Sequence, residues 1–398
     1  MLFVQMVARS FLMGSFPLGQ ISRPSQIRTV LYGTTVSFVS VVLCFLILEV
    51  GYRVYRMQKY GIVEMADLKG HQAFVADPLY GSRPIRNFDT TVIDPKVRRS
   101  AKPLAFWLEK DVHFNSLGYR GKEFTVPKDH GVYRIVMLGG STVQNLEVDD
   151  GDTWSARLED KLNHDPGFLA ARHVSRAEVI NAGVSGWRSR EGLLLLQREI
   201  VRFSPDCIMI AFNWNDAWHG VNMVDPNGSM YTPQPVWQHS LLLQNLHTRF
   251  LNMVVNNTNT IRAFSARLSR DSEWAQVYRK NLTEMIRITE AAGAKAVLIN
   301  LPGLARQKDT TSVEARSAMA RAGLTADNYL FYAEMKSLIS EMLHDIGRQH
   351  NVPVIDVHRY YESFHDAELL SLFVDVAHTT REGSGHIAEA IYFERTAY

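Results

Sequence analysis

Hydrophobic and polar residues alternate in short blocks through most of this chain, but one long block near its start has no charge. From Val30 to Leu48 nineteen consecutive residues are uncharged, and at about 1.5 Å per residue a helix of this length matches the hydrocarbon core of a bilayer. The pattern predicts a transmembrane anchor over 29–50, preceded by a short N-terminal segment at 1–28. A buried helix of a soluble core is the alternative, because a Gly-Thr-Thr patch makes the block only moderately apolar.

The charges around this block bear on its orientation in a membrane. Basic residues occur on both sides of it, so the positive-inside rule alone gives no strong preference. The first 28 residues contain no Asp or Glu, which favours a cytoplasmic amino terminus. A cleaved signal peptide is disfavoured because its apolar region is normally about 7 to 15 residues long. We therefore expect a single-pass membrane protein whose larger part is periplasmic or otherwise extracytoplasmic.

Residues 51–128 are rich in turn formers and have no long helical period. Segments such as DPLYGSRPIRN and FNSLGYRGKEF place Gly, Pro, Asn and Asp every few residues. This composition is typical of short strands joined by tight turns. We expect a stalk and a small β-rich accessory region at 51–128.

The pattern changes after residue 128, where short apolar runs alternate with amphipathic segments. Such runs are typical of strands covered on both faces, and their alternation with helices predicts an α/β domain with a parallel sheet of about five strands over 129–398. Two insertions, at 217–270 and 303–326, are long enough to be lids or substrate loops. The predicted strands are Arg134–Leu138, Glu178–Asn181, Cys207–Phe212, Ala296–Asn300 and Val354–Asp356, and the predicted helices are Thr153–Leu162, Arg190–Arg202, Ser272–Ala292 and Asp327–His350.

Composition narrows the classes of function. Lys and Arg number 43 against 41 Asp and Glu, a net charge of +2, which is too small an excess for a protein that neutralises many phosphates. Nucleic acid is therefore not an expected partner. The sequence has two cysteines, Cys44 and Cys207, and it has neither a metal-ligand motif nor a G-x-G-x-x-G turn after a strand. We predict no disulfide scaffold, no metal and no cofactor.

Residues capable of catalysis directly follow the predicted strands. In a parallel sheet of this kind the ligand site lies beyond the carboxyl ends of the strands, so these residues are expected to meet. Each segment alone also has a structural explanation, because Ser caps helices, Asn-Asp is a common turn and a lone His is often structural. The four segments are Gly139-Gly140-Ser141, Gly186-Trp187, Asn213-Trp214-Asn215-Asp216 and Asp375-Val376-Ala377-His378.

Together and in this order, the four segments resemble the motif blocks of the SGNH hydrolase superfamily, the GDSL-type esterases. The resemblance covers roughly residues 130 to 398, and the chain is most similar to membrane-anchored members found with exopolysaccharide and cell-surface glycan genes. It implies a flavodoxin-like three-layer α/β/α fold and serine hydrolase activity. The family's Asp before the serine is Gly140 here, and the Gly that opens its third block is Asn213. We expect these departures to alter the support of the loops and to leave the chemistry in place.

The resemblance implies a role for each matching residue. Ser141 would be the nucleophile, His378 its general base and Asp375 the residue that orients the imidazole. The backbone N–H groups of Ser141 and Gly186 and the side-chain amide of Asn215 would form an oxyanion hole. A serine hydroxyl needs such a base to take its proton, and the tetrahedral intermediate needs fixed donors.

Two aromatic residues beside the motif segments bear on the substrate. Trp187 and Trp214 are candidate stacking faces for a sugar ring, although tryptophans at strand ends also fill the rim of a domain. With the anchor, they lead us to expect a serine esterase that removes O-acyl groups, most simply acetyl, from a surface or exported polysaccharide. An acylated carbohydrate is the expected substrate, and polysaccharide-assembly proteins are the expected partners.

Three other functions fit the same residues. An O-acetyltransferase would form the same acyl-enzyme and use a sugar hydroxyl as the acceptor. A lipase or lysophospholipase would take its substrate from the membrane, with the apolar segment 241–255 as a lid. A non-catalytic glycan-binding or assembly protein would keep only the fold, and Gly140 and Asn213 would then be the residues behind the loss of catalysis.

Overall fold

The computed structural model describes most of the chain. Residues 1–23 of the predicted N-terminal segment (1–28) lie outside the described residues. Parts of the predicted regions 51–128, 217–270 and 303–326 also lie outside them. The described residues are 24–60, 73–95, 98, 106–223, 225–228, 240–255, 258–305, 316–317, 319–320 and 324–398.

One long helix, α1 (Pro24–Tyr60), contains the uncharged block. Its side chains from Tyr32 to Leu48 are almost all exposed, and the section Tyr32–Gln58 is long and apolar enough to cross a membrane. The helix continues beyond the predicted end at residue 50, so the predicted stalk begins as helix. Residues 51–60 contain no proline, and most of them are residues that helices tolerate well, which is why no break occurs at the end of the apolar block.

The described residues between α1 and the main sheet include four short strands. β1 (Phe74–Asp77) and β2 (Gly81–Pro84) pair as an antiparallel hairpin, and β3 (Phe88–Asp89) pairs antiparallel with β4 (His113–Phe114). A small apolar core, rich in aromatic rings, lies between them. This region covers part of the loops that follow the main sheet.

The central sheet has five strands, and all of them run parallel. Their order in space is the second, first, third, fourth and fifth along the chain, which is the flavodoxin-like order. The predicted fold class is therefore confirmed. The strands are β5 (Val132–Gly139), β6 (Arg176–Gly183), β7 (Cys207–Ala211), β8 (Lys295–Ile299) and β9 (Val354–Ile355).

Helices cover both faces of this sheet and make the three layers. Side chains alternate along each strand, so Val136 and Ile208 are buried under one layer and Ile135 and Met209 under the other. Because helices cover both faces of the sheet, apolar and polar residues do not alternate along these strands. The helices after α1 are α2 (Ser141–Gln144), α3 (Trp154–Asn163), α4 (Pro166–Ala171), α5 (Ser189–Arg198), α6 (Trp214–Val221), α7 (Leu241–Val255), α8 (Thr258–Ser265), α9 (Glu273–Ala291), α10 (Ala326–His350), α11 (Val357–Tyr361), α12 (Asp366–Ser371) and α13 (Arg381–Phe393).

The order in which strands are added to the sheet reverses at β5. β6 lies on one side of β5 and β7 lies on the other, so the loops after these strands diverge and leave a crevice at the carboxyl edge. This is where ligands bind in open α/β sheets. The residues that follow β5, β6 and β7 are therefore neighbours, although they are far apart in the sequence.

Candidate active site

The turn after β5 places Ser141 at the carboxyl edge of the sheet. β5 ends at Gly139, and Ser141 is the first residue of α2. A β-carbon on Gly139 would lie 2.9 Å from the carbonyl oxygen of Ala211 and closer still to the side chain of Val143. Only glycine leaves room for the strand to pass so directly into the helix, and this sharp turn is what exposes the serine.

Ser141, His378 and Asp375 form a continuous chain of hydrogen bonds. His378 Nε2 lies 2.8 Å from Ser141 Oγ, and His378 Nδ1 lies 2.7 Å from Asp375 Oδ2. When Nδ1 donates its proton to the carboxylate, Nε2 is left to accept the proton of the serine. The serine and the histidine are 237 positions apart in the sequence, and the fold brings them together.

The loop that carries the histidine is itself held by Asp375. Its Oδ1 accepts hydrogen bonds from the backbone N–H groups of Ala377 and His378, both at 2.8 Å. Burial alone would raise the pKa of Asp375, but the hydrogen bond and charge of His378 and the two backbone donors lower it overall. Thr380 then caps α13 by accepting from the N–H of Gly383 at 3.3 Å. The imidazole of His378 is therefore held between the turn formed by Asp375 and the amino-terminal end of α13.

A second carboxyl group, on Glu147, faces the imidazole from the opposite side. Its Oε1 lies 4.0 Å from His378 Nε2, and its side chain is only 8% exposed. Oε2 is buried and has no hydrogen-bond partner among the described residues. The sequence analysis missed Glu147, because a glutamate six residues after the serine belongs to none of the motif segments.

Glu147 and His378 shift each other's ionisation. Burial raises the pKa of Glu147, and the charge of His378 opposes this rise. Burial lowers the pKa of His378, but the hydrogen bond to Asp375 and the charges of Glu147 and Asp375 raise it overall. The site therefore contains a histidine whose protonated form is stabilised by two carboxylates.

The three expected oxyanion donors differ in how the structure places them. Asn215 lines the cavity beside Ser141, and its Nδ2 donates one hydrogen bond to the carbonyl oxygen of Trp187 at 2.8 Å. This is the one hydrogen bond that the amide donates among the described residues. Gly186 itself does not line the cavity, although its neighbour Trp187 does. Among the described residues, the backbone N–H groups of Ser141 and Gly186 do not donate to the backbone carbonyl oxygens of turns, loops or helix caps.

Side-chain hydrogen bonds tie the motif loops to one another. Gln144 of α2 accepts from the backbone N–H and the hydroxyl of Ser185, at 2.9 and 2.7 Å, which links the serine turn to the loop of Gly186. Asp216 accepts from the N–H and hydroxyl of Ser189, which links the loop of Asn215 to the start of α5. Burial raises the pKa of Asp216 to about 6, even though its bonds to Ser189 act in the opposite direction.

The two departures from the family pattern each have a structural setting. A β-carbon on Gly140 would lie 2.8 Å from Asn215 Nδ2, so the absence of a side chain gives the amide its place. Asn213 is buried, and its Nδ2 donates to the carbonyl oxygen of Ile299 at 3.3 Å, which joins the ends of β7 and β8. Its Oδ1 has no partner among the described residues. Neither departure removes a group of the hydrogen-bonded chain.

The expectation that Trp187 stacks on a sugar is wrong, because the residue is 1% exposed. Its ring stacks on Tyr80, with centroids 5.1 Å apart, and its Nε1 donates to the carbonyl oxygen of Ser82. The hairpin of β1 and β2 thus covers it. Trp214 does line the cavity but is only 8% exposed, and it packs so closely on Gly303 that a β-carbon there would lie 2.6 Å from the ring. It forms a wall of the site and offers little open face.

Other aromatic residues keep exposed surface next to this wall. Tyr332 of α10 and Trp218 of α6 stack in parallel, with centroids 5.9 Å apart, and both are half-buried. Tyr332 also packs edge-on to Trp214 at 6.2 Å. Burial and the charge of Asp375 raise the pKa of Tyr332 to about 12. The sequence analysis missed Tyr332, although three aromatic residues lie close together at the start of α10.

The cavity at Ser141 is small. It has a volume of about 50 Å³ and is lined by Ser141, His378, Asn215 and Trp214 among others. Since one water needs about 10 to 15 Å³ of such volume, it holds a group of three or four heavy atoms. A larger cavity of about 500 Å³, beside Arg120 and at the edge of β6, is not lined by Ser141, Asp375 or His378.

Comparison with known proteins gives one family and a group of distant solved structures. The sequence pattern of the GDSL-like lipase/acylhydrolase family matches residues 137–385, and no curated protein matches the chain. The α/β hydrolase enzyme LAE5, from the metagenome of Lake Arreo, is 15% identical and covers 67% of this chain and 95% of its own, with a TM-score of 0.41.

Two further structures are similar at the same level. A lipase/acylhydrolase from Enterococcus faecalis is 19% identical, with 66% of this chain and 94% of that chain covered and a TM-score of 0.38. A catalytic mutant of Axe2, an acetylxylan esterase from Geobacillus stearothermophilus, is 12% identical, with 66% and 93% covered and a TM-score of 0.38.

Proposed function

Because this chain belongs to the GDSL-like lipase/acylhydrolase family, we propose that it is a membrane-anchored serine esterase that removes O-acetyl groups from a surface or exported polysaccharide. Family membership makes it a hydrolase of carboxylic esters. The observation that carries the assignment of its site is the unbroken chain from Ser141 Oγ through His378 to Asp375, with distances of 2.8 and 2.7 Å.

In the acylation step, Ser141 Oγ attacks the ester carbonyl carbon while His378 Nε2 takes the hydroxyl proton. The carbonyl oxygen becomes an oxyanion, and the N–H groups of Ser141 and Gly186 with the amide of Asn215 are the proposed donors to it. The imidazolium is stabilised by Asp375 and by Glu147. Collapse of the intermediate breaks the bond to the sugar oxygen, which takes the proton from His378 and leaves as a free hydroxyl.

The deacylation step repeats the same chemistry with water as the nucleophile. His378 Nε2 removes a proton from a water molecule, which attacks the acetyl-serine carbonyl carbon. The second tetrahedral intermediate collapses, Ser141 Oγ recovers its proton from the imidazolium, and acetic acid leaves and ionises to acetate in solvent. If a sugar hydroxyl takes the place of water, the same sequence transfers the acetyl group instead.

The size of the cavity supports a short acyl group. About 50 Å³ accommodates the three heavy atoms of an acetyl group, whereas a fatty acyl chain would need several times this volume. This favours an acetylesterase over a lipase or lysophospholipase. The large polysaccharide would stay outside the cavity, with only its acetyl group inserted.

Aromatic residues at the rim support a carbohydrate on the alcohol side of the ester. The stacked pair of Trp218 and Tyr332 retains exposed surface next to Trp214, and sugar rings pack their C–H edges on aromatic faces. The anchor supports a substrate outside the cytoplasm. The feature that favours the proposed orientation, with the hydrolase domain periplasmic or extracytoplasmic, is the absence of acidic residues before residue 29.

The experiment that tests this function measures acetate release by the full-length protein in detergent or nanodiscs. Acetylated polysaccharide is the substrate, and p-nitrophenyl esters of increasing acyl length are run in parallel. We expect acetate release, a sharp fall in rate beyond short acyl chains, and no reaction with Ser141→Ala. Acetyl transfer to added unacetylated glycan would identify a transferase. A preference for long acyl chains would identify a lipase, and the absence of any reaction by the folded protein would identify a binding protein.

A further inference from the structure

Helix α7 is tied to the anchor at the point where the uncharged block ends. Glu49 is the first charged residue after that block and is only 8% exposed. Its Oε2 accepts from Ser240 Oγ at 2.7 Å and from the backbone N–H of Leu242 at 3.0 Å, while its Oε1 accepts from Arg53 Nε at 2.8 Å. The amino-terminal end of α7 therefore lies at the level where α1 would leave the hydrocarbon of a bilayer.

An apolar stripe runs along α7 from this point. Leu246, Phe250 and Met253 are 53%, 57% and 66% exposed. Their spacing of four and then three residues places them on one side of the helix. The anchor exposes Ile47 and Leu48 next to Glu49 as well. Exposing a row of large apolar side chains to water is unfavourable. One apolar environment would cover both the stripe and the end of the anchor.

The charge of this part of the chain indicates which neighbour that is. Between Asp225 and Asp271 the sequence has no acidic residue, but it has four arginines, of which Arg249 lies in α7 itself and is exposed. A helix with an apolar stripe and only basic charges is typical of segments that lie in the surface of a membrane with anionic lipids.

We propose that α7 lies in the surface layer of the same membrane that holds the anchor, with its apolar stripe inserted among the lipids. The inference rests on α1 crossing a bilayer and does not depend on the chemistry of the site.

α8 follows α7 closely in the chain and buries Ile261 and Phe264 in the hydrolase domain. Phe264 packs on Trp218 of α6, with centroids 6.2 Å apart. The membrane-bound helix is thereby coupled to the helix that begins beside Asn215, which holds the active site close to the lipid surface.

The test places a fluorescent probe at a single cysteine in the full-length protein, reconstituted in nanodiscs that contain anionic lipid. Cys44→Ser removes the exposed native thiol, and burial raises the pKa of the Cys207 thiol, which keeps it unreactive. The probe goes to Phe250→Cys. Val41→Cys in the anchor is the control for lipid, and Val92→Cys, in the accessory region and 76% exposed, is the control for water.

Quenching by lipid-borne nitroxides and by aqueous iodide separates the outcomes. At Phe250→Cys we expect strong quenching by the nitroxide and protection from iodide, as at Val41→Cys. Quenching by iodide to the extent seen at Val92→Cys would overturn the proposal, as would protection from both quenchers, which would mean that protein covers the helix. If the Phe250→Cys protein does not fold, Leu246→Cys and Met253→Cys carry the same test. An anchor probe that reports water would remove the premise and overturn the proposal with it.

Discussion

The side-chain amide of Asn215 occupies the space that a side chain on Gly140 would need. The position of a β-carbon on Gly140 lies 2.8 Å from Asn215 Nδ2 and 3.1 Å from the carbonyl oxygen of Trp187, and these two atoms are themselves hydrogen-bonded at 2.8 Å. Gly140, which precedes Ser141, and the amide of Asn215 therefore depend on each other for space. With Gly140 where the family has Asp, the side chain of Asn215 lines the cavity beside Ser141.

We predict that Gly140→Ala lowers kcat for p-nitrophenyl acetate by roughly 10-fold to 100-fold, since displacing a catalytic group by about 1 Å can cost 10²-fold. The added methyl group must push the amide of Asn215 away from its place. Gly151→Ala is the matched control, because a β-carbon there has no atom within 4 Å. Full activity of the Gly140→Ala enzyme would show that the position of this amide does not matter.

Asn215 is proposed to donate to the oxyanion and not to the ground-state ester. Asn215→Ala should therefore lower kcat by about 10² to 10³ with little change in KM, as expected for the loss of one oxyanion donor. Asn222→Ala, an exposed residue at the end of the same helix whose amide also bonds a backbone carbonyl, should have no effect. A higher KM at unchanged kcat would make Asn215 a substrate-binding residue.

The pH dependence of the reaction should report the two carboxylates around His378. The base must be neutral, so kcat/KM should rise with pH through the pKa of His378, which lies above the usual 6.5. Glu147→Gln removes a negative charge that stabilises the imidazolium, so the rise should move to lower pH. Glu290 is exposed, and Glu290→Gln, the control, should leave the pH of this rise unchanged. If Glu147→Gln also left it unchanged, Glu147 would have no influence on the pKa of His378.

Tyr332 is proposed to contact the sugar and should affect only a polymeric substrate. Tyr332→Ala should raise KM for acetylated polysaccharide roughly 2-fold to 10-fold, since an aromatic contact contributes about 0.5–1.5 kcal/mol, and kcat/KM for p-nitrophenyl acetate should change little. Tyr332→Phe, which keeps the ring, should behave as the wild type. Equal losses on both substrates would mean that the substitution disturbs the loop of Asp375 instead.

The sequence predicted the parts of the fold that depend on local pattern. All five strands of the sheet lie where apolar runs were seen, and the segments after β5, β6 and β7 meet because parallel strands end at a common edge. Trp187 was misjudged because its burial depends on a hairpin about a hundred residues earlier, and no local pattern pairs that hairpin with this loop. Glu147 and Tyr332 were missed for the same reason, since Glu147 approaches His378 and Tyr332 packs on Trp214 only through the tertiary fold.

The central claim is that Ser141 is the nucleophile of a triad completed by His378 and Asp375. The most direct measurement is peptide mapping by mass spectrometry after the folded full-length protein reacts with a fluorophosphonate. We predict one adduct per chain, located on Ser141, with no labelling of Ser141→Ala and little labelling of His378→Ala, because the hydroxyl is a poor nucleophile without its base. An adduct on another residue, or no adduct on a folded wild-type protein, would contradict the account.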